Sequence, residues 1–199
     1  MHSLSTHQSL LARLSRGDDQ AAWAECFARY RELVLGVARR RGLSGGDGDD
    51  VLQDVFVALS QSLPKFEYDR ERGRFRGFLK TITVRAIARR LRRRGAAPAV
   101  GTVGADDGDE HDVGAPDPEF EATWEAEWRQ HHLRQAMAVL RSEVRASDLR
   151  AFELVTQGQR EAREVAAELG LSVDSVYQAK SRILKRLREL IAGQVAEEG

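Results

Sequence analysis

Apolar residues recur at helical spacing along most of the chain, and this periodicity constrains the fold more than any other feature of the sequence. Alternation of apolar and polar residues, the pattern of a half-buried strand, never continues for more than about four residues. Clusters of glycine, proline and aspartate interrupt the periodic segments where helices would end. The sequence therefore predicts an all-α protein, and it contains no apolar run of the length that spans a membrane.

The predicted helices form two groups, separated by a stretch of different composition. Residues 95–118 contain three of the four prolines, together with many glycines, alanines and acidic residues. Their apolar content is too low to offset the chain entropy that is lost on folding. We therefore predict two small helical domains, at residues 1–94 and 119–199, joined by a flexible acidic linker.

Local signals mark several of the predicted helix boundaries. Residues 17–19 should separate the first helix from a second helix over residues 20–41. Residues 45–49 are rich in glycine and aspartate, which predicts a loop before the third helix. In the second domain, Ser147 or Asp148 is predicted to cap a short helix.

The formal net charge is zero, but the charges are segregated along the chain. Residues 70–94 contain eleven basic residues and one acidic residue, which gives a local charge of +10. Residues 105–127 contain ten acidic residues and neither lysine nor arginine, which gives a local charge of −10. A binding partner would interact with these two charged blocks, so the zero net charge of the chain does not describe its electrostatics.

The basic block falls on a helix predicted over residues 73–94 and on the loop before it. Attraction to the helix dipole explains two or three cations near a C-terminus, but it does not explain eleven. Aromatic residues are interleaved with the cations, at Phe66, Tyr68, Phe75 and Phe78. This combination suits single-stranded nucleic acid, because cations contact phosphates and rings stack on bases. We assign Phe78 to the core, whereas Phe66 and Tyr68 stay open between packing and stacking.

Residues 161–177 carry the most specific local pattern, which is that of a helix-turn-helix. Gly170 can adopt the positive φ that ends the first helix sharply, and Ser172 can cap the second. Such a motif lays its second helix in the major groove of DNA. A helical hairpin with a solvated basic face is the alternative. The candidate DNA contacts are Ser172, Asp174, Ser175, Gln178, Lys180, Arg182, Lys185 and Arg186, of which the last three are assigned to phosphates.

Three segments, in this order, resemble sigma factors of the extracytoplasmic-function group. The segment DDVLQDVFVAL (residues 49–59) is similar to the helix that binds the clamp helices of RNA polymerase. The segment FEYDRERGRFRGFLKTI (residues 66–82) is similar to the loop and helix that bind the −10 element. The segment VAAELGLS, with the helix that follows it to residue 188, is similar to the −35-binding helix-turn-helix. The resemblance implies that the two domains correspond to sigma regions 2 and 4.

The resemblance also implies the function, which is to direct core RNA polymerase to promoters without catalysis or a cofactor. Polymerase contacts would come from Asp50, Gln53, Asp54 and Phe56. Contacts to the −10 region would come from Phe66, Tyr68, Arg70, Arg72, Arg74, Arg76, Lys80, Thr81 and Arg85. The partners would be the clamp helices and flap of the polymerase, and promoter DNA as duplex and as melted single strand. An anti-sigma protein is a further candidate partner. The single cysteine, Cys26, can form no internal disulfide, which fits action in the reducing cytoplasm.

Other interpretations of the sequence stay open or have little support. A stand-alone helix-turn-helix regulator would bind its site as a dimer without polymerase, and the +10 block argues against a protein-only adaptor. An enzyme has little support, because the adjacent His131 and His132 diverge by about 100° on a helix and cannot share one metal ion. Residues 45–48 follow a helix rather than a strand, unlike a phosphate-binding loop. The acidic block can aid solubility, shield the basic block by mimicking DNA, or occupy the polymerase channel.

Overall fold

The computed structural model of the chain describes residues 7–63, 75–95, 118–156, 158 and 160–198. Regular structure in these residues is entirely helical, so the predicted all-α class is confirmed. The helices are α1 (His7–Leu14), α2 (Gln20–Arg40), α3 (Gly46–Ser62), α4 (Phe75–Arg93), α5 (Pro118–Glu143), α6 (Ala146–Thr156), α7 (Ala162–Leu169) and α8 (Val173–Glu198). Within the described ranges, no helix combines the length and the apolar character that crossing a membrane requires.

The chain divides into two compact units, and the division falls inside α5. Unit 1 comprises Met1–His131 with Glu197–Gly199, and unit 2 comprises His132–Ala196. The first part of α5, residues 118–131, therefore packs in unit 1, although the sequence analysis grouped it with the C-terminal helices. The reason is aromatic packing, since Phe120, Trp124 and Trp128 are buried in the core of unit 1. Residues 96–117, most of the predicted linker, lie outside the described residues.

The core of unit 1 is built from the apolar faces of α1 to α4 and the first part of α5. Tyr30 is fully buried, with its ring centroid 5.3 Å from that of Phe75 and stacked 5.2 Å from that of His131. Cys26 is also fully buried, and burial raises the pKa of its thiol to about 12. Cys26 is therefore a small core residue rather than a reactive thiol.

The break between α1 and α2 lies where the sequence places it. Gly17 adopts a φ of 82°, which favours glycine. Asp19 caps α2, because its Oδ1 accepts a hydrogen bond of 2.8 Å from the backbone N–H of Ala22. Arg13 donates to the Oδ2 of Asp19 at 2.8 Å, and this hydrogen bond is the main reason that the pKa of Asp19 falls to about 2.

Two predicted helix starts are wrong, and in both cases the helix begins earlier. α3 begins at Gly46, inside the predicted loop, and its first-turn Asp47 accepts a hydrogen bond of 2.7 Å from Arg90 of α4. A carboxylate in the first turn is stabilised by the helix dipole. α6 begins at Ala146, so Ser147 and Asp148 lie within its first turn rather than at its cap. In both helices, glycine, serine and aspartate indicate a boundary, but these residues fit the first turn of a helix equally well.

Unit 2 contains two apolar clusters that fix the angle between its helices. Phe152 of α6 packs with Ile183 and Leu187 of α8 in the first cluster. Val165 of α7 packs with Val176 of α8 in the second cluster. The long helix α8 therefore buries one stripe along its length and leaves its other faces for solvent or a partner.

Replacing Gly170 is expected to destabilise unit 2. Gly170 has a φ of 64° and a ψ of 32°, a left-handed conformation that costs a residue with a Cβ atom roughly 1 kcal/mol. We therefore expect Gly170→Ala to lower the free energy of unfolding of unit 2 by about 1 kcal/mol. Gly193 lies within α8 with open space around its Cα, so Gly193→Ala should be neutral or stabilising by up to about 1 kcal/mol. Equal effects in denaturant unfolding would contradict this account of the turn.

Candidate nucleic-acid interface

The turn between α7 and α8 has the geometry that the sequence predicts for a helix-turn-helix. α7 ends on Gly170 in the left-handed conformation, and the N–H of Leu171 donates to the carbonyl of Ala166 at 2.9 Å. Ser172 caps α8, because its Oγ accepts a hydrogen bond of 3.0 Å from the N–H of Ser175. The local predictions for Gly170 and Ser172 are therefore confirmed.

The candidate DNA-contacting residues of α8 lie on its outer side. Val176, Ala179 and Ile183 are buried and turn toward the core of unit 2. The outer residues are exposed Ser172, Asp174, Ser175, Gln178, Arg182 and Lys185, and half-buried Lys180 and Arg186. Tyr177, which is not among the predicted DNA contacts, is 57% exposed on the same helix. The sequence does indicate this exposure, since Tyr177 falls outside the apolar stripe formed by Val176, Ala179 and Ile183.

Two cations assigned to phosphates form ion pairs within unit 2. Arg186 donates two hydrogen bonds of 2.8 Å to the carboxylate of Glu143, and this interaction raises the pKa of Arg186. Arg182 donates to Asp148 at 3.1 Å. Exposed ion pairs are weak, typically about 0–1 kcal/mol, so a phosphate can replace either carboxylate at little cost.

On α4, the structure describes four of the residues assigned to the −10 region. Arg76 and Lys80 are half-buried and lie one helical turn apart, so they share a face. Arg76 forms an ion pair with Glu125, and its Cζ lies 5.2 Å from the ring centroid of Trp128. The Oγ1 of Thr81 donates to the carbonyl of Gly77 at 3.0 Å. Arg85 is half-buried on the same helix, whereas Phe66, Tyr68, Arg70, Arg72 and Arg74 lie outside the described residues.

The C-terminal part of α4 is held to α3 by ion pairs. Arg90 lies 2.7 Å from a carboxylate oxygen of Asp50, and Arg89 lies 3.6 Å from one of Asp54. Two of the four residues assigned to polymerase binding are thus paired with cations of α4. Arg92 and Arg93, at the end of the helix, are exposed.

The other two residues assigned to polymerase binding line an open apolar cleft between α2 and α3. Gln53 and Phe56 lie there beside Phe27 and Val57. The rings of Phe27 and Phe56 are 5.0 Å apart between centroids. Phe27 shares the helical spacing of the buried Tyr30, which predicts a core position, yet it is 39% exposed. Val57, which is 47% exposed, could not be predicted as part of this surface, because the direction of a single apolar side chain on a helix cannot be read from the sequence.

Comparison with known proteins finds a family match in the N-terminal part of the chain. Residues 26–97, a range that includes α3 and α4, match the family Sigma-70 region 2. A solved structure, that of CnrH in complex with the cytosolic domain of CnrY, matches over 93% of this chain and 96% of that chain, with 24% sequence identity and a TM-score of 0.37. The search of the curated proteins gave no significant match.

Proposed function

We propose that the chain is a sigma factor of the extracytoplasmic-function group, which binds core RNA polymerase and directs it to promoters. The match of residues 26–97 to sigma-70 region 2 is the observation that carries this proposal. The helix-turn-helix of unit 2 supports it, because a second DNA-binding element on the same chain fits recognition of two promoter elements. The factor would act in the cytoplasm and catalyse no reaction. An anti-sigma partner stays a prediction from the sequence resemblance.

In unit 1, the proposal assigns different partners to two surfaces. The cleft beside Phe27, Phe56 and Val57 offers exposed apolar side chains, which fit the apolar centre of a protein interface. The cationic face of α4 fits single-stranded DNA at the −10 element, where cations would contact phosphates. Asp50 and Asp54, which pair with Arg90 and Arg89 of α4, remain proposed polymerase contacts because their side chains are partly exposed.

In unit 2, the outer side of α8 is proposed to bind the −35 element in the major groove. Gln178 is the candidate for a bidentate contact to adenine, and Lys180 for a contact to guanine. Arg182, Lys185 and Arg186 would contact phosphates, which position the helix without reading sequence. The Ser172 cap would present the first turn of α8, with Asp174 and Ser175, to the groove.

The proposal is tested by measuring DNA binding with and without core polymerase. A sigma factor should bind core enzyme tightly and promoter DNA weakly when alone. A stand-alone regulator, the second candidate that the helix-turn-helix favours, should bind its site alone as a dimer on half-sites about one helical turn apart. Light scattering of the protein–DNA complex, together with affinity capture of core polymerase, separates these two outcomes.

Removing the side-chain amide of Gln178 is expected to weaken promoter recognition. Gln178→Ala deletes a base contact worth about 1–3 kcal/mol, so promoter-directed transcription should fall roughly 5- to 150-fold. The fold should survive, because Gln178 is exposed and alanine favours helix. Gln130→Ala makes the same change at an exposed helical position of unit 1 and should leave transcription unchanged. Equal activity of the two variants would contradict the assignment of Gln178.

A further inference from the structure

Four glutamates on the first part of α5, here called the glutamate strip, lie against cations of unit 1. Glu121 accepts a hydrogen bond of 2.8 Å from the Nζ of Lys80, and Glu125 forms an ion pair with Arg76. The other two pairs join Glu127 to Arg40 at 2.6 Å and Glu119 to Arg41 at 3.2 Å. The strip thus contacts cations of both α4 and α2.

The pairs on α4 match in register. Arg76 and Lys80 are one turn apart on α4, and Glu125 and Glu121 are one turn apart on α5. The order is reversed, so the two helices run antiparallel at this contact. The two cations of α4 therefore face the two carboxylates of α5. Residues 118–127 contain four glutamates and neither lysine nor arginine, while α4 contains seven basic residues and no acidic residue. Two pairs in register indicate a complementary surface rather than a single chance ion pair.

The helix that carries the strip is anchored, but its carboxylates are accessible. Phe120 and Trp124 are fully buried in the core of unit 1. The side chains of Glu121 and Glu125 are 37% and 46% exposed. These two carboxylates can therefore leave their cations by rotation of the side chain, while the helix stays in place.

We propose that Glu121 and Glu125 compete with single-stranded DNA for Arg76 and Lys80 and so weaken DNA binding by the free protein. This inference rests on the proposed function, which assigns Arg76 and Lys80 to the melted −10 strand. A phosphate group of the DNA carries a negative charge, as each of these carboxylates does, and would bind the same two cations. Because exposed ion pairs are weak, DNA held in place by further contacts, such as those within the polymerase complex, displaces the carboxylates.

Of the three roles that the sequence leaves open for the acidic block, this proposal concerns the shielding of the basic block. The shield is assigned to Glu121 and Glu125 because these two carboxylates contact the cations of α4. The competing groups are two defined carboxylates, and the cations they occupy are defined as well. The consequence is a factor that avoids non-specific nucleic acid until polymerase supplies additional contacts.

The test measures binding of the full-length protein alone to a fluorescent oligodeoxythymidine across a salt series. The variant Glu121→Gln with Glu125→Gln removes both charges and keeps the side-chain shape. We expect it to bind roughly 2- to 30-fold more tightly at low salt, the effect of releasing two exposed ion pairs. The plot of log affinity against log salt should steepen by about 1.4, because two more phosphates are contacted on a single strand.

The matched control removes the same charge elsewhere in unit 1. Asp18→Asn with Glu32→Gln also removes two negative charges, but Glu32 pairs with Arg31 and Arg39 of its own helix. We expect this control to change affinity by less than about twofold and to leave the salt slope unchanged. Thermal unfolding checks all variants, and the single variants Glu121→Gln and Glu125→Gln replace the double variant if it unfolds.

The variant Arg76→Gln with Lys80→Gln is made with and without the glutamate changes. It distinguishes failure of the shielding proposal from failure of the assignment of these two cations to DNA. If the cation variant weakens binding while the glutamate variant leaves affinity and slope unchanged, shielding is overturned and the DNA role of α4 stands. If neither set of changes alters binding, both the shielding and the assignment of Arg76 and Lys80 to DNA are overturned. A tighter glutamate variant that loses its gain when the cations are removed supports the proposal.

Discussion

The Trp124→Ala substitution should lower the free energy of unfolding of unit 1 by about 3–5 kcal/mol, which is the usual cost of removing a buried tryptophan side chain. The ring of Trp124 is fully buried and stacks between two other rings. Its centroid lies 6.5 Å from that of Phe120 and 5.5 Å from that of Trp128. Hydrogen exchange resolved by peptide is the appropriate measurement, because it reports the stability of α2, α3 and α4 separately from that of unit 2.

The control for Trp124→Ala lies on the same helix beyond the division between the units. Leu133 is 37% exposed and belongs to unit 2, so Leu133→Ala should cost less than about 1 kcal/mol and leave protection of α2 to α4 unchanged. If Trp124→Ala reduced protection in α6 to α8 while α2 to α4 kept theirs, the first part of α5 would belong to the C-terminal unit. That result would also remove the structural basis for the glutamate strip.

The Val57→Glu variant should lose core polymerase binding by more than about 30-fold, the loss expected when a central interface residue worth about 2 kcal/mol is disrupted. Val57 is 47% exposed in the middle of α3, next to Phe27 and Phe56. A carboxylate at this position would be buried without a partner when an apolar surface covers the cleft. Glutamate favours helix more than valine does, so the variant should fold normally.

The matched control for Val57→Glu is Val195→Glu. Val195 is also 47% exposed and lies on α8, so the same substitution is made at the same exposure in another helix. It should bind core polymerase like the wild type. If Val57→Glu retained full affinity for core polymerase, with an unchanged melting temperature, the cleft would not be the polymerase-binding surface.

The parts of the molecule that the sequence predicts well are those set by local interactions. The turn around Gly170 and Ser172 depends on the backbone preference of one residue and on a hydrogen bond to a residue three positions away. Helical periodicity likewise depends only on neighbours along the chain. These signals gave the all-α class, the helix-turn-helix geometry and the outward direction of Gln178.

The assignment of residues 118–131 to a unit could not be read from local signals. An amphipathic helix shows that it must bury one face, but not which core will receive that face. The change in composition before Pro118 resembled a domain boundary, whereas the contacts of Phe120 and Trp124 with α1 to α4 are made across long stretches of chain. Within unit 1, the hydrogen bond between Asp47 of α3 and Arg90 of α4 likewise joins residues that are 43 positions apart in sequence.

In the candidate site, the sequence likewise predicts which charged residues are present but not which side chains pair with one another. The sequence placed cations on α4, and the structure adds the glutamates that face Arg76 and Lys80. It assigned Asp50 and Asp54 to a partner, while the structure pairs them with Arg90 and Arg89. Charge composition predicts which partners a surface attracts, whereas the pairing partners of each charge within the fold depend on tertiary structure.

Transcription of a library of genomic fragments in vitro tests whether the chain directs initiation by core RNA polymerase. Core polymerase is supplied with or without the protein, and the 5′ ends of the transcripts are sequenced. We expect new start sites that depend on the protein and that share two upstream motifs, near positions −10 and −35, at a constant spacing. The same start sites with core enzyme alone, or none with the protein added, would contradict this expectation.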